Sequence, residues 1–175
     1  MKSKPKPRGP AQDAIADQAR NARAPSGLDS VSIRRVRRGD LDQVIAIDAT
    51  VTGLEKRKYW NSVYRRYGVT GPAERQFLVA DAAGQVIGFV IGEVRDWEFG
   101  SPPCGWVFGI NVEPGCRLSG IGARLLEAIC ASFRRLGVTT VRTILSRDNP
   151  LVLSFFRSQG MMAGPLIPLE MSLDA

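Results

Sequence analysis

The sequence predicts a mixed α/β (α+β) domain, and three observations carry that reading. Residues 107–135, VFGINVEPGCRLSGIGARLLEAICASFRR, pass from a short apolar strand through a proline and a glycine-punctuated turn into a long amphipathic helix. Gln76–Ala80 and Val86–Val94 are apolar and β-branched, and Asp81-Ala82-Ala83-Gly84 between them reads as a hairpin turn. The full order is strand, two helices, three strands, helix, strand, helix, strand, which mixes both element types along one chain. A length of 175 residues with 44% apolar content suits one such domain with its own core.

Residues 1–30 mix Lys, Pro, Ala and Arg with a few Asp and hold no sustained apolar period. They read as a disordered basic tail, in which Ala11–Arg23 forms at most a fraying helix, and the domain proper occupies 31–175. Val31–Val36 alternates as a first strand. Gly39 breaks it, and Asp40-Leu41-Asp42-Gln43 opens a helix with an Asp cap and Gln at N3, burying Leu41, Val44, Ile45 and Ile47. A second helix is expected over about Glu55–Tyr67, with Tyr59, Trp60, Val63, Tyr64 and Tyr67 on one face.

The fourth strand is Trp106–Val112, after a loop holding Pro102-Pro103. The long helix turns Ile121, Leu125, Ala128, Ile129, Phe133 and Leu136 inward and stops at Gly137. Val138–Leu145 is rich in β-branched residues and predicts a fifth strand. Asn149 caps a last helix with Pro150 at its first position. There Leu151, Val152, Phe155 and Phe156 pack, and Gly160 ends the helix. Met161–Leu173 reads as one or two short strands.

Composition excludes several kinds of chemistry. The chain has no histidine, so Ser-His-Asp, Cys-His and His-metal sites are impossible. Cys104, Cys116 and Cys130 are odd in number and far apart, which suits a reducing cytoplasm rather than a disulfide framework, and suggests no metal site. No run approaches the roughly 18 apolar residues of a membrane span, and no secretory signal opens the chain. A net charge of +7 suits a polyanionic partner. Nucleic-acid binding would have to run through the basic tail.

The chemistry concentrates at the turn before the long helix. Two glycines in Arg117-Leu118-Ser119-Gly120-Ile121-Gly122 allow close approach to the backbone. The helix beginning near Gly120 adds unpaired N–H groups and the positive end of its dipole. Together these form an anion site suited to pyrophosphate. A dinucleotide fingerprint fits poorly, since Leu125 holds its third glycine position and no acidic residue ends a following strand. A P-loop is excluded, because no Gly-Lys-Ser/Thr follows.

The spelling Val112-x-Pro114-x-x-Arg117-x-x-Gly120-Ile121-Gly122 resembles the central motif of the GNAT-type N-acetyltransferases. With the element order, the resemblance covers about residues 31–175. It implies the acyl-CoA N-acyltransferase fold: a mostly antiparallel six- to seven-stranded sheet, splayed between strands 4 and 5, with about four helices. It implies acetyl-CoA as co-substrate, no metal, and a primary amine as acceptor, on a small molecule or a protein. Arg117, Leu118, Ser119, Gly120, Ile121, Gly122 and Ala123 would hold the pyrophosphate. Ile110, Asn111 and Val112 would pair with the pantetheine arm, with a backbone N–H polarising the thioester carbonyl. Asn149 and Phe155 match positions beside the CoA arm. Tyr59 and Tyr64 would line the acceptor pocket under the first two helices. The oligomeric state stays open, a homodimer included.

Two departures matter. Many members carry a Glu early in strand four and a Tyr in the last helix; this chain has Phe108 and Phe156. A thiol of pKa about 8.5 leaving unprotonated at pH 7 forgoes about 2 kcal/mol. Keeping a lysine amine neutral costs about 4.6 kcal/mol, but an α-amine only about 1 kcal/mol. A site without the usual base therefore favours a low-pKa amine or recruits another carboxylate. Glu93 is the substitute candidate, followed by Asp48, Glu98 and Glu113, with Tyr59 and Tyr64 candidate acids. Cys116 borders the loop but lacks a base to activate it. The alternative reading is a CoA-binding or sensing module with weak or no catalysis.

Overall fold

The structure is a computed structural model that describes residues 30–69 and 72–173. The expected tail at 1–30 lies outside the described residues except for Ser30. Alternating apolar residues fix a central sheet in the order β1-β2-β3-β4-β5. Its strands are β1 (Val31–Arg35), β2 (Arg75–Ala82), β3 (Gln85–Arg95), β4 (Cys104–Val112) and β5 (Val141–Arg142). Neighbours from β1 to β4 are antiparallel, and β5 runs parallel to β4. The helices are α1 (Leu41–Thr52), α2 (Arg57–Val63), α3 (Ile121–Arg135) and α4 (Pro150–Ser158).

The sheet separates two apolar layers. On one face α1 and α2 bury Val44, Ile47, Trp60 and Val63 against Phe77, Val79, Phe89 and Ile91. On the other, α3 lays Leu125, Ile129 and Phe133 on Leu78, Ala80, Val90 and Val107, and Phe156 of α4 joins them. Fully buried phenylalanines such as Phe77, Phe89 and Phe133 are each worth about 3–5 kcal/mol against alanine. Gly105 is part of that fit, because a Cβ there would run into the Phe133 ring. The mixed sheet with its helices on both faces is the fold that the sequence predicts.

Several details differ from the expectations, each for a local reason. Among the described residues the sheet has five strands, not six or seven, because Met161–Leu173 forms none. Pro165 and Pro168 remove ladder donors from that segment. The fifth strand shrinks to Val141–Arg142, since it pairs only with Gly105 and Trp106 of β4. Leu136 and Leu151 are exposed and Leu126 is buried; Leu136 falls on the turn that closes α3, where Gly137 and Val138 donate back to Arg134 and Phe133. The expected Asp40–Gln43 cap does not form. Gln43 accepts instead from Val86 N–H at 2.8 Å, and Asp40 is drawn into an ion cluster.

That cluster ties β1 to the start of α1. Arg34 donates to Asp40 at 2.7 and 2.9 Å and to Asp81 at 2.7 Å, and Arg37 N–H adds a 2.6 Å bond to Asp40. Burial pushes the Asp40 carboxyl up, but these donors outweigh it and hold it below the ordinary range. The Asp81 carboxyl is lowered chiefly by Arg34. Carboxylates depressed in the folded state stabilise above their unfolded pKa of about 3.9 and lose that contribution as pH falls through the folded value. Urea midpoints should therefore fall as pH drops below about 4, and Arg34→Gln should flatten that dependence while costing about 2–3 kcal/mol at pH 7. An unchanged slope in Arg34→Gln would remove the cluster from acid stability.

Candidate active site

The loop between β4 and α3 is built as an open cradle. A short 3₁₀ turn at Pro114–Cys116 ends the strand. Leu118 and Gly120 then take left-handed backbone with φ of 65° and 79°, and Leu118 projects fully into solvent. The first backbone bond of α3 is Arg124 N–H to the Gly120 carbonyl at 3.1 Å. The amides of Ile121, Gly122 and Ala123 therefore have no acceptor within the helix. A Cβ on Gly120 would meet nothing within 4 Å, whereas one on Gly122 would come 3.0 Å from the Phe155 ring. Phe155 thus packs on the head of α3, with its ring 5.0 Å from Phe156. Arg117 Nε donates to the Val112 carbonyl at 3.3 Å, and Ser119 Oγ donates to the Cys116 carbonyl. The open space over Gly120, three spare amides and the adjacent guanidinium fit a pyrophosphate.

Beside the cradle the sheet parts. β4 pairs with β3 from Cys104 to Val112 but with β5 only at Gly105 and Trp106. Ile110, Asn111 and Val112 therefore have no β5 residue opposite them, and all three are half-buried. The β3–β4 register shifts so that Gly92 faces Val107 while Ile91 faces Gly109. Phe108 is the extra residue of that bulge, and bulges re-aim a side chain. Its ring meets Tyr67 edge-on at 5.2 Å.

Beyond this bulge, on the α1–α2 face, a carboxylate and a phenol meet. Glu93 of β3 stands opposite Trp106 of β4 and Arg75 of β2. Its Oε2 accepts from Tyr67 Oη at 2.9 Å and its Oε1 from Arg95 Nε at 3.1 Å. A carboxylate has about four lone-pair sites, so capacity remains. Burial first, then the Glu93 hydrogen bond, push the Tyr67 phenol up. Arg95 lies over the Trp106 ring at 5.0 Å.

Tyr67 reaches Glu93 because α2 does not end as an α-helix. Tyr64–Gly68 forms a π-helical turn, whereas the expected helix simply stopped at Tyr67. Tyr64 instead packs beside Gly68 and Val36, and Tyr59 is exposed with its ring edge-on to Trp60 at 5.2 Å. Asp48 is buried, accepting from Trp60 Nε1 at 2.9 Å and Lys56 at 3.0 Å, so it braces α1 to α2. Glu98 lies 3.9 Å from Arg95, and Glu113 sits at the end of β4. Asn149 caps α4 through Val152 N–H at 3.2 Å. Burial, reinforced by Glu113, pushes the Cys116 thiol up, which makes it a poor nucleophile at neutral pH. Among the described residues no three His, Cys, Asp or Glu side chains converge as a metal site. No helix there is long and apolar enough to cross a membrane.

The parted strands, glycine-lined cradle and α3 define a class, and comparison with known proteins identifies it. The chain belongs to the acetyltransferase (GNAT) family, whose profile matches residues 43–161. An L-2,4-diaminobutyric acid acetyltransferase of Nocardia farcinica is 31% identical over 98 residues, 56% of this chain and 49% of that protein. The match thus spans about half of that relative's length. The aminoglycoside N-acetyltransferase AAC(6')-Iy, solved with CoA, superposes with a TM-score of 0.71 at 18% identity, over 82% of this chain and 95% of that one. The aminoglycoside 6'-N-acetyltransferase AAC(6')-Ih of Acinetobacter baumannii gives 0.68 at 17% identity, over 83% and 100%. At such identities the likeness establishes the fold.

The Tyr67–Glu93 contact has a direct spectroscopic check. Tyr67 should titrate above the ordinary phenol range in a spectrophotometric titration, and Glu93→Gln should lower its midpoint without bringing it fully back, because burial persists. If that variant left the midpoint where it was, the two groups would not be bonded in solution.

Proposed function

We propose that the protein transfers an acetyl group from acetyl-CoA to a primary amine by direct transfer in a ternary complex. The observation that carries this reading is the cradle of unpaired α3 amides lying beside the gap between β4 and β5. Acetyl-CoA brings an activated acyl group on a thioester. The amides of Ile121, Gly122 and Ala123, with Arg117, hold its pyrophosphate. The strand edge at Ile110–Val112 lines up its arm, and Phe155 flanks it. Glu93 takes the proton that the amine must lose, since Phe108 occupies the position where the family's usual Glu stands. Tyr67 and Arg95 hold the Glu93 carboxylate in orientation. The named substrates of the relatives, diaminobutyrate and aminoglycosides, support a small-molecule amine as acceptor.

The second reading is a CoA-binding or sensing module, motivated by Phe108 and Phe156 in place of the family's acid and base. Thiol release from acetyl-CoA with a panel of amines separates the two, because a sensor binds CoA without releasing thiol.

Two variants test the roles. Gly122→Glu places a carboxylate and side-chain bulk against Phe155 and the anion cradle, and should abolish CoA binding by calorimetry; retained affinity would disprove the loop assignment. Glu93→Gln should lower kcat/KM about a hundredfold or more and move the rate profile to higher pH. An unaltered profile would eliminate Glu93 as the base.

A further inference from the structure

The surroundings of Glu93 hold an excess of donors and a shortage of acceptors. Arg75 stands directly opposite Glu93 on the same sheet face, its guanidinium 5.8 Å from the centre of the Tyr67 ring. Among the described residues that guanidinium has no ion pair, the paired arginines being Arg34, Arg57, Arg95 and Arg134. Arg66, on the π turn, also lacks an ion pair there, and its charge and that of Arg75 both act on the Tyr67 phenol. The indole N–H of Trp106, on the other side of Glu93, is buried with no acceptor. Glu93 already accepts from Tyr67 and Arg95, and Glu98 faces Arg95.

An incoming amine answers Glu93 but none of these donors. A polycationic amine would also set its remaining charges against Arg75 and Arg66. Directly opposed side chains in a sheet start about 5 Å apart, so one small molecule can span Glu93 and Arg75. We infer that the acceptor is an amine that also carries a carboxylate, of the amino-acid or short-peptide class, with Arg75 binding the carboxylate while Glu93 faces the amine. This rests on the acetyl-transfer reading above. Arg75 is then a specificity determinant, and the fold's aminoglycoside-type acceptors are poor partners for this site.

The experiment compares lysine, ornithine and a dipeptide with the corresponding amides, and with 1,5-diaminopentane. It uses thiol release from acetyl-CoA and calorimetric binding of each acceptor to the CoA-loaded protein. Amides have the more easily deprotonated α-amine, so amine basicity alone favours them. The carboxylate contact should reverse that order, giving the acids about a tenfold or larger advantage in both binding and kcat/KM. Arg75→Ala should bring the ratio near one, and Arg75→Lys should restore part of it. Amides or diamines bound and acetylated as well as the acids, or an acid preference untouched in Arg75→Ala, would overturn the inference while leaving acetyl transfer intact. Absence of thiol release with every acceptor tested would instead overturn the acetyl-transfer reading, and this inference with it.

Discussion

The unequal hold on β4 is the constraint on which the rest of the structure depends. On one side β3 grips it along its length; on the other, β5 touches it at two residues. A strand left open inside a protein exposes N–H and C=O groups that need partners. The apolar layers make this opening tolerable. Phe133 and Ile129 pin β3 and β4 from one face, and Trp60 seals Phe77 and Phe89 from the other at ring distances of 6.1 and 5.0 Å. The gap can therefore persist without the sheet unzipping. The bulge at Phe108 lies just past the last β4–β5 pair, and the loop cradle follows from where β4 ends.

On the acetyl-transfer reading proposed above, the base stands one strand away from its usual place. The positions that Phe108 and Phe156 occupy are apolar, and each packs against an aromatic neighbour, Tyr67 and Phe155 respectively. The nearby carboxylate is on β3, where Glu93 faces a phenol and a guanidinium. The Glu93 carboxylate accepts from both of these neighbours. It is also less free to move than a solvent-facing side chain, since two bonds fix its plane.

The sequence was most legible where local physics decides. The loop Arg117–Gly122 needs its glycine at a left-handed position, and α3 needs its apolar stripe, so both could be read from spacing. Asn149-Pro150 announced α4 for the same reason. Glu93 was visible as a stray carboxylate, but its partners were not. Pairing Arg75 and Trp106 with Glu93 requires counting back from the hairpin through irregular steps at Ala80/Asp81 and Ile91/Gly92. A single missed bulge turns every later side chain to the opposite face. Asp40 likewise looked like a helix cap, but Arg34, on the preceding strand, draws its carboxylate away from the helix. The short β5 was hidden because Val138–Leu145 has strand-forming residues but no partner edge along most of its length.

The π turn at Tyr64–Gly68 has a consequence for how this region can change. Such a turn closes its hydrogen bonds over one residue more than an α-helix does, and here that surplus positions the Tyr67 hydroxyl. Removing a single residue between Val63 and Tyr67 would let the helix relax to ordinary winding and swing the phenol about 100° around the axis, away from Glu93. Connecting segments on a protein's surface usually accept small deletions. This joint would not, so related chains that keep the phenol–carboxylate contact should keep its length even where they change every exposed residue on it.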